Sequence, residues 1–521
     1  MASARSHSLW FALALLSCGS GATGTIVPDV PNTPGTPTNL ADTARITVDL
    51  GIARQPVVGF GRTLLTLVSP AGDYLAEFRP AALVAAFSSV GISRGLLNIG
   101  VVETRSTTAE LYAERQNDNS DPRVLDPAGF NFSAIDVLRD KVLTPGAALG
   151  FARTEIGPLL DYRFPLDWLR TLRQQNYPLY LDEAAENVLA VNEQFRVVQG
   201  AYPPLVHLFN EPTSGNTEIY SSSVQEVLDL VKRVGLRLRA TGNLQTRFVV
   251  PNEETMSRSL EVARAILADP IARPFVGAIG LHQYPYGSVS VSPRRMLETS
   301  GRGLPDPTTR SELEQLRALG AQYGVPLWMT EVSEGPGNAD FVYGAFEHVF
   351  ARVVHIHDTF LCGGVSAYFG MNTFGDSRTQ SEHIVGQNPP FRFDQSAIVL
   401  INQRERVVRI TGVGHAIGHY ARWLGAGAVF LESATSAPRV LTSAFRDPAN
   451  GRIVVVVANA DTRPHLLQIR LQGATLLGAV TGETFYGDVP WERFEARAEG
   501  DGLVQYVAPP SSVMTLAVPT L

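Results

Sequence analysis

Between about residues 45 and 425 the chain alternates short continuous apolar runs with longer stretches of helical periodicity. Strands buried on both faces of a parallel sheet read as such runs, without the polar alternation of a half-exposed strand. Val57-Val58-Gly59-Phe60, Leu96-Leu97-Asn98-Ile99, Leu179-Tyr180-Leu181 and Val206-His207-Leu208-Phe209 supply four candidates in the first half. Phe248-Val249-Val250, Ala278-Ile279-Gly280-Leu281, Leu327-Trp328-Met329-Thr330 and Val365-Ser366-Ala367-Tyr368-Phe369 supply four in the second. Helical patterns fall between them at 81–89, 222–240, 259–268, 311–323 and 340–357. Ser311 three positions before Glu314 has the form of a capping box, and Gly324 reads as a helix stop. Strand-then-helix units repeated eight times predict an α/β fold, a (β/α)8 TIM barrel over residues 45–427, with a doubly wound open sheet as the structural alternative.

After residue 428 the pattern shortens to strands and turns: Val429-Phe430-Leu431, Ile453 to Ala458, Leu466 to Leu471 and Ser512 to Val518. Asn450-Gly451 ahead of the Ile453 run is a hairpin signal. Residues 428–521 are therefore expected to form an appended all-β sandwich domain. Arg45-Ile46-Thr47-Val48-Asp49-Leu50 alternates polar with apolar, so residues 45–56 are candidates to pair into it. The longest interval between expected strands, from Glu103 to Tyr177, reads as an elaborated loop and helix, a candidate substrate wall.

The N-terminus carries a different signal. Arg5 and His7 precede the apolar stretch Leu9 to Leu16, too short to span a bilayer, so residues 1–18 read as an export signal. Leu15-Leu16-Ser17-Cys18 looks like a bacterial lipobox, which would make Cys18 the lipid-bearing first residue of an exported, membrane-anchored lipoprotein; plain secretion is the alternative. Residues 19–44 are rich in Gly, Thr, Pro and Asn and read as a flexible linker.

Composition narrows the possible functions. Hydrophobic residues make up 45% of the 521 and charged residues 18%, enough for a large core and incompatible with wholesale disorder. Lys and Arg number 43 against 50 Asp and Glu, a formal charge of −7 with no basic run, so nucleic acid is not an expected partner. With two cysteines, Cys18 and Cys362, at most one disulfide is available, and Cys362 among apolar neighbours reads as a small buried hydrophobe. No cofactor or metal is indicated: Gly412 to Gly418 misses the dinucleotide fingerprint by one position and reads as a turn, His355 and His357 with Asp358 lack metal-ligand spacing, and Asp118 and Asp121 read as solvated loop acids.

Two acids stand where a barrel places its chemistry. Glu211 follows the expected fourth strand in Asn210-Glu211-Pro212, and Glu331 follows the seventh in Thr330-Glu331-Val332. The C-terminal ends of barrel strands converge on one mouth, so the two carboxylates can face each other across it. Such a pair suits glycoside hydrolysis, where a protonated carboxyl serves the leaving oxygen and an ionised one meets the developing oxocarbenium ion. A separation of ~5–5.5 Å would give retention, and ~6.5–9.5 Å inversion.

These residues resemble the acid/base and nucleophile motifs of the retaining glycoside hydrolases of clan A. Gly59-Phe60-Gly61, His282-Gln283-Tyr284, Trp328-Met329-Thr330-Glu331, the run Gly414 to Leu424 and the ending Ala508 to Leu516 look like glycoside hydrolase family 30. The resemblance implies a retaining enzyme cleaving a β-linked oligo- or polysaccharide, with Glu211 as acid/base and Glu331 as nucleophile. It further implies that Asn210 binds the sugar 2-OH, that Tyr284 holds Glu331, and that His282 sits beside the same subsite. Tyr368 and Phe369 are candidates for an aromatic floor under the sugar, one of them facing outward, and Trp328 reads as core. The second strand lacks the arginine many relatives carry at its end, and the third lacks their aromatic, proline-rich continuation, so the identity of the sugar is left open. The rival reading is a non-catalytic carbohydrate-binding lipoprotein on the same barrel.

Overall fold

The structure, a computed structural model, describes residues 42–64, 76–97, 117–130, 132, 135–136, 139–151, 153–157, 159–160, 167–214, 222–283, 307–332, 346–370, 373–376, 397–402, 406–487, 489–499 and 501–520. The export signal, Cys18, residues 19–41 of the linker and Tyr284 lie outside the described residues.

A first strand, β1 (Ala44–Pro56), is followed by eight parallel strands: β2 (Gly59–Thr63), β3 (Arg94–Leu97), β4 (Arg153–Ile156), β5 (Leu205–His207), β6 (Arg247–Glu253), β7 (Val276–His282), β8 (Leu327–Glu331) and β9 (Val365–Gly370). Each pairs with the next, and β9 pairs back onto β2, so the ring is closed. Alternation along the strands divides their side chains. Val249, Ala278, Trp328, Ala367 and Phe369 pack together inside the ring, with the Trp328 and Phe369 rings 5.8 Å apart. Val250, Ile279, Leu281, Leu327, Met329 and Tyr368 instead join the larger core formed with the helices.

One expected strand is a helix. Leu179-Tyr180-Leu181 lies in the first turns of Tyr177–Gln199, whose N-cap Asn176 accepts the Leu179 N–H and whose end is marked by Gly200 in the left-handed region at φ 78°. Three apolar residues do not distinguish a strand from a helix, and the Asn176-Tyr177-Pro178 start signal decides the matter. The third barrel strand is β4, four residues containing Arg, Thr and Glu that carry no apolar run. Ser311 likewise lies inside the helix Pro307–Tyr323 rather than capping it, and its hydroxyl accepts from Gln315. The helices Val224–Ala240 and Met256–Ala268 begin at Ser223 and Thr255, each accepting a backbone N–H three residues on.

Beyond a small sheet of β10 (Phe374–Asp376), β11 (Val399–Asn402) and β12 (Val407–Ile410), the C-terminal domain adds β13 (Val429–Thr435), β14 (Val440–Arg446), β15 (Ile453–Asn459), β16 (His465–Gln472), β17 (Val480–Tyr486), β18 (Val489–Glu499), β19 (Leu503–Ala508) and β20 (Ser512–Val518). The expected sandwich is instead one closed sheet. Strand β1 completes it, antiparallel to β13 and parallel to β16, so no edge is left open. The expected turn at 412–418 is the start of a helix, Gly412–Ala421, capped by the Thr411 hydroxyl. Its Gly418 leaves room for Trp491 of β18, while Arg422 sits 4.3 Å from the centre of that ring and pairs with Glu483 at 2.6 Å. This helix locks the two rings together.

Candidate active site

Barrel strands deliver their last residues to one mouth, and β5, β6, β7 and β8 each deliver a titratable or polar group there. Glu211, four residues beyond β5, and Glu331, the last residue of β8, flank His282, the last residue of β7. His282 Nδ1 is 3.0 Å from Glu211 Oε1 and 4.0 Å from Glu331 Oε1. The side chains of Glu211 and Glu331 keep 14% and 12% of their surface, so both are sheltered yet reachable, and His282 is buried between them.

Burial by itself would push the imidazolium of His282 toward neutrality, but the charge of Glu331, the hydrogen bond and charge of Glu211, and Glu253 together outweigh it and raise the group above its ordinary value. His282 thus donates its Nδ1–H to Glu211. One ligand atom from each of Glu211, His282 and Glu331 lies within 4.8 Å of the others. Neighbouring ligands of a tetrahedral zinc with ~2.1 Å bonds stand about 3.4 Å apart, so the 4.0 Å gap from Nδ1 to Glu331 is wide for that ion, while the 3.0 Å gap to Glu211 is that of a hydrogen bond.

Asn210 is buried next to Glu211 in sequence, and its Nδ2 is a buried donor with no hydrogen-bond partner among the described residues. An orphan donor at such a place costs free energy unless something binds there. Tyr368 is not in the mouth. Its side chain points outward from β9 and is fully buried, with its hydroxyl 2.7 Å from Arg352 Nη1 and 2.6 Å from His355 Nδ1. The strand alternation that brings Phe369 inside sends Tyr368 to the helices, which corrects its expected place under a sugar. His355 in turn lies 2.6 Å from Gln283 Oε1, and burial followed by the charge of Arg352 holds it well below its ordinary value, so neutral His355 accepts from Tyr368 and donates to Gln283.

Sequence reasoning passed over Glu253. It ends β6 without exposure, and burial raises its carboxyl to about 7 against the hydrogen bonds from Thr213 and the charge of His282, with Glu211 adding to the rise. The signal was present, because the apolar run Phe248-Val249-Val250 is followed within three residues by a glutamate, as the runs ahead of Glu211 and Glu331 are.

No family model matches the chain, and no curated protein matches it in sequence. Solved structures match it in fold. It is similar to the glycoside hydrolase family 30 subfamily 8 xylanase Xyn30A from Clostridium acetobutylicum, at 16% identity and a TM-score of 0.62 over 91% of this chain and 99% of that one. The catalytic domain of xylanase C from Talaromyces cellulolyticus matches at 16% identity and 0.62, over 91% and 100%. The endo-β1,6-glucanase BT3312 matches at 16% and 0.59, over 91% and 94%. The likeness is one of fold: an α/β barrel with an attached β domain, as in the family 30 structures.

Proposed function

We propose that the protein is a retaining glycoside hydrolase acting on a β-linked glycan, with Glu211 as acid/base and Glu331 as nucleophile. The observation that carries this reading is the pair of largely buried yet reachable carboxylates just beyond β5 and at the end of β8, an oxygen of each within 4.8 Å of the other around one imidazole. An oxygen of one carboxylate this close to an oxygen of the other supports the short spacing of about 5–5.5 Å, in which a carboxylate attacks the sugar directly, over the about 6.5–9.5 Å that holds the water of inversion. Structural neighbours named as xylanases and an endo-β1,6-glucanase support a β-linked polysaccharide as substrate.

In the first step Glu211 gives its proton to the glycosidic oxygen while Glu331 attacks the anomeric carbon, the bond to the leaving sugar breaks, and an ester to Glu331 forms. In the second, Glu211 takes a proton from water, the hydroxide adds to the same carbon, and Glu331 leaves as carboxylate. His282 serves both steps by offsetting the charge of Glu331 and fixing Glu211 through its Nδ1–H. Asn210 offers its free donor to the sugar 2-OH, and Tyr284 steadies Glu331. Trapping with 2-fluoro-β-glycosides of several sugars, followed by peptide mapping, tests the assignment. A label on Glu331 and a first-formed product of β configuration are expected; a label elsewhere, or an α product, overturns it. Glycan binding without turnover on a broad panel would make the protein a non-catalytic binding lipoprotein.

The basic start, the apolar stretch Leu9 to Leu16 and the lipobox-like Leu15-Leu16-Ser17-Cys18 support an exported enzyme held to the envelope through Cys18. Metabolic labelling with a radioactive fatty acid, lost in Cys18→Ala, is the expected result. Among the described residues no helix is long and apolar enough to cross a membrane.

A further inference from the structure

The segment after Val250 touches both catalytic strands. The Asn252 side chain donates to the Phe209 carbonyl at 3.2 Å and to the Val249 carbonyl at 3.0 Å, and its Oδ1 accepts from the Thr330 hydroxyl at 2.7 Å. Phe209 lies two residues before Glu211, and Thr330 immediately precedes Glu331. The Asn252 backbone carbonyl accepts the Glu211 N–H at 2.8 Å. Room for this amide is built in: a Cβ on Gly280 of β7 would lie 1.9 Å from Asn252 Oδ1.

Next along the chain, the two oxygens of Glu253 stand 3.1 and 3.3 Å from the Thr213 N–H, and Glu254 accepts from the Ser214 hydroxyl at 2.9 Å. The Ser214 N–H donates to the Glu211 carbonyl at 3.1 Å, closing a turn. Glu211 needs such support, since at φ 50° it occupies the left-handed region that a side chain other than glycine's rarely adopts, and Asn252 does so too at φ 60°. Backbone held there persists only where its surroundings over-determine it.

We propose that Asn252 and Glu253 are the positioning residues of both catalytic glutamates, Asn252 tying the acid loop to the nucleophile strand and Glu253 holding that loop by its backbone through a buried carboxyl. This rests on the assignment of Glu211 and Glu331 made above. An uncharged glutamine would also accept from Thr213, so the carboxyl adds something beyond anchoring. The charged groups acting on it are His282 and Glu211. Once ionised, Glu253 is a negative charge that keeps a proton on its two neighbours to higher pH.

Four variants test this. Asn252→Ala leaves KM within about threefold and lowers kcat on the order of 10²-fold, the scale of an ångström-sized displacement of a catalytic group. Gly280→Ala does the same with Asn252 chemically intact, which separates loss of position from loss of the residue; Asn252→Asp, which keeps the acceptor for Thr330, stands in if either variant fails to fold. Glu253→Gln keeps the Thr213 contact, moves the basic limb of the kcat/KM profile to lower pH by at least about half a unit, and lowers the titration midpoint of the His282 imidazole followed by NMR. Native kcat in Asn252→Ala, or an unmoved His282 midpoint in Glu253→Gln, overturns the proposal. Wild-type protein without turnover defeats the hydrolase assignment instead, and the His282 titration, which needs no substrate, still decides the role of Glu253.

Discussion

Replacing Glu331 by glutamine removes one charge from the site with almost no change of shape. His282 Nδ1 is 4.0 Å from Glu331 Oε1, and Glu331 is the largest of the influences that raise this imidazole. At an effective dielectric constant of about 20, unit charges 4 Å apart interact by about 4 kcal/mol, a ceiling of about 3 pH units on the titration. Partial exposure of Glu331 and compensation by Glu211 reduce the effect. A fall of at least about 1 unit is expected, because the opposing cost of burying an imidazolium is unchanged. The assay is a pH titration of ¹⁵N-histidine-labelled protein by NMR, with the His282 resonances identified by their loss in His282→Phe. Wild-type His282 should titrate above 6.5, and the Glu331→Gln variant should titrate clearly lower. A midpoint that moves by less than about 0.3 unit would refute the reasoning, since no charge 4 Å away is that weak in a sheltered site. That result would also remove the shared mouth on which the catalytic pairing depends.

Glu211→Ala is expected to lower turnover of glycosides with poor leaving groups by about 10²–10⁴-fold while sparing those with activated aryl groups, which depart without a proton; equal losses on both classes would argue against an acid role. Tyr368→Phe removes the two buried hydrogen bonds to Arg352 and His355 and should cost about 1–3 kcal/mol in urea unfolding with KM unchanged, whereas a shifted KM would return Tyr368 to the substrate site. Glu253 carries a stability signature of its own. Its folded value of about 7 lies above the ordinary 4.5, so the fold binds this proton more tightly than the unfolded chain; stability from this group is complete below pH 4.5 and falls as pH rises to about 7. The gap of about 2.5 units corresponds to about 3 kcal/mol. Glu253→Gln should therefore become more stable than wild type at pH 8 by up to that amount and match it at pH 4, as read by chemical denaturation, and equal pH dependence of the two proteins would contradict the burial of the carboxyl.

Much of this molecule is legible in one dimension, because a strand covered on both faces needs an unbroken apolar run and a helix needs its period and its caps. Seven of the barrel runs, from Val57-Val58-Gly59-Phe60 to Val365-Ser366-Ala367-Tyr368-Phe369, overlap observed strands, and the runs ahead of Glu211 and Glu331 point to the mouth. The third failed: Arg153–Ile156 is four residues with little apolar content, paired at both edges by its neighbours, while Leu179-Tyr180-Leu181 belongs to a helix whose start lies in Asn176 and Pro178. Periodicity reports burial, and burial is common to both elements when the run is short.

What the sequence determined by itself is the alternation of strands and helices, the acids that end those strands, and the β-rich tail, all consequences of local patterning. Only the tertiary structure decided which faces meet. It turned Tyr368 out of the ring and Phe369 into it, brought β1 back across some 390 residues to close the second sheet on β13, and set Asn252 between the strands of Glu211 and Glu331 in the space that Gly280 leaves open. Contacts of that kind join residues far apart along the chain, and their positions follow from the closure of each sheet and the packing of its neighbours, which no local pattern encodes.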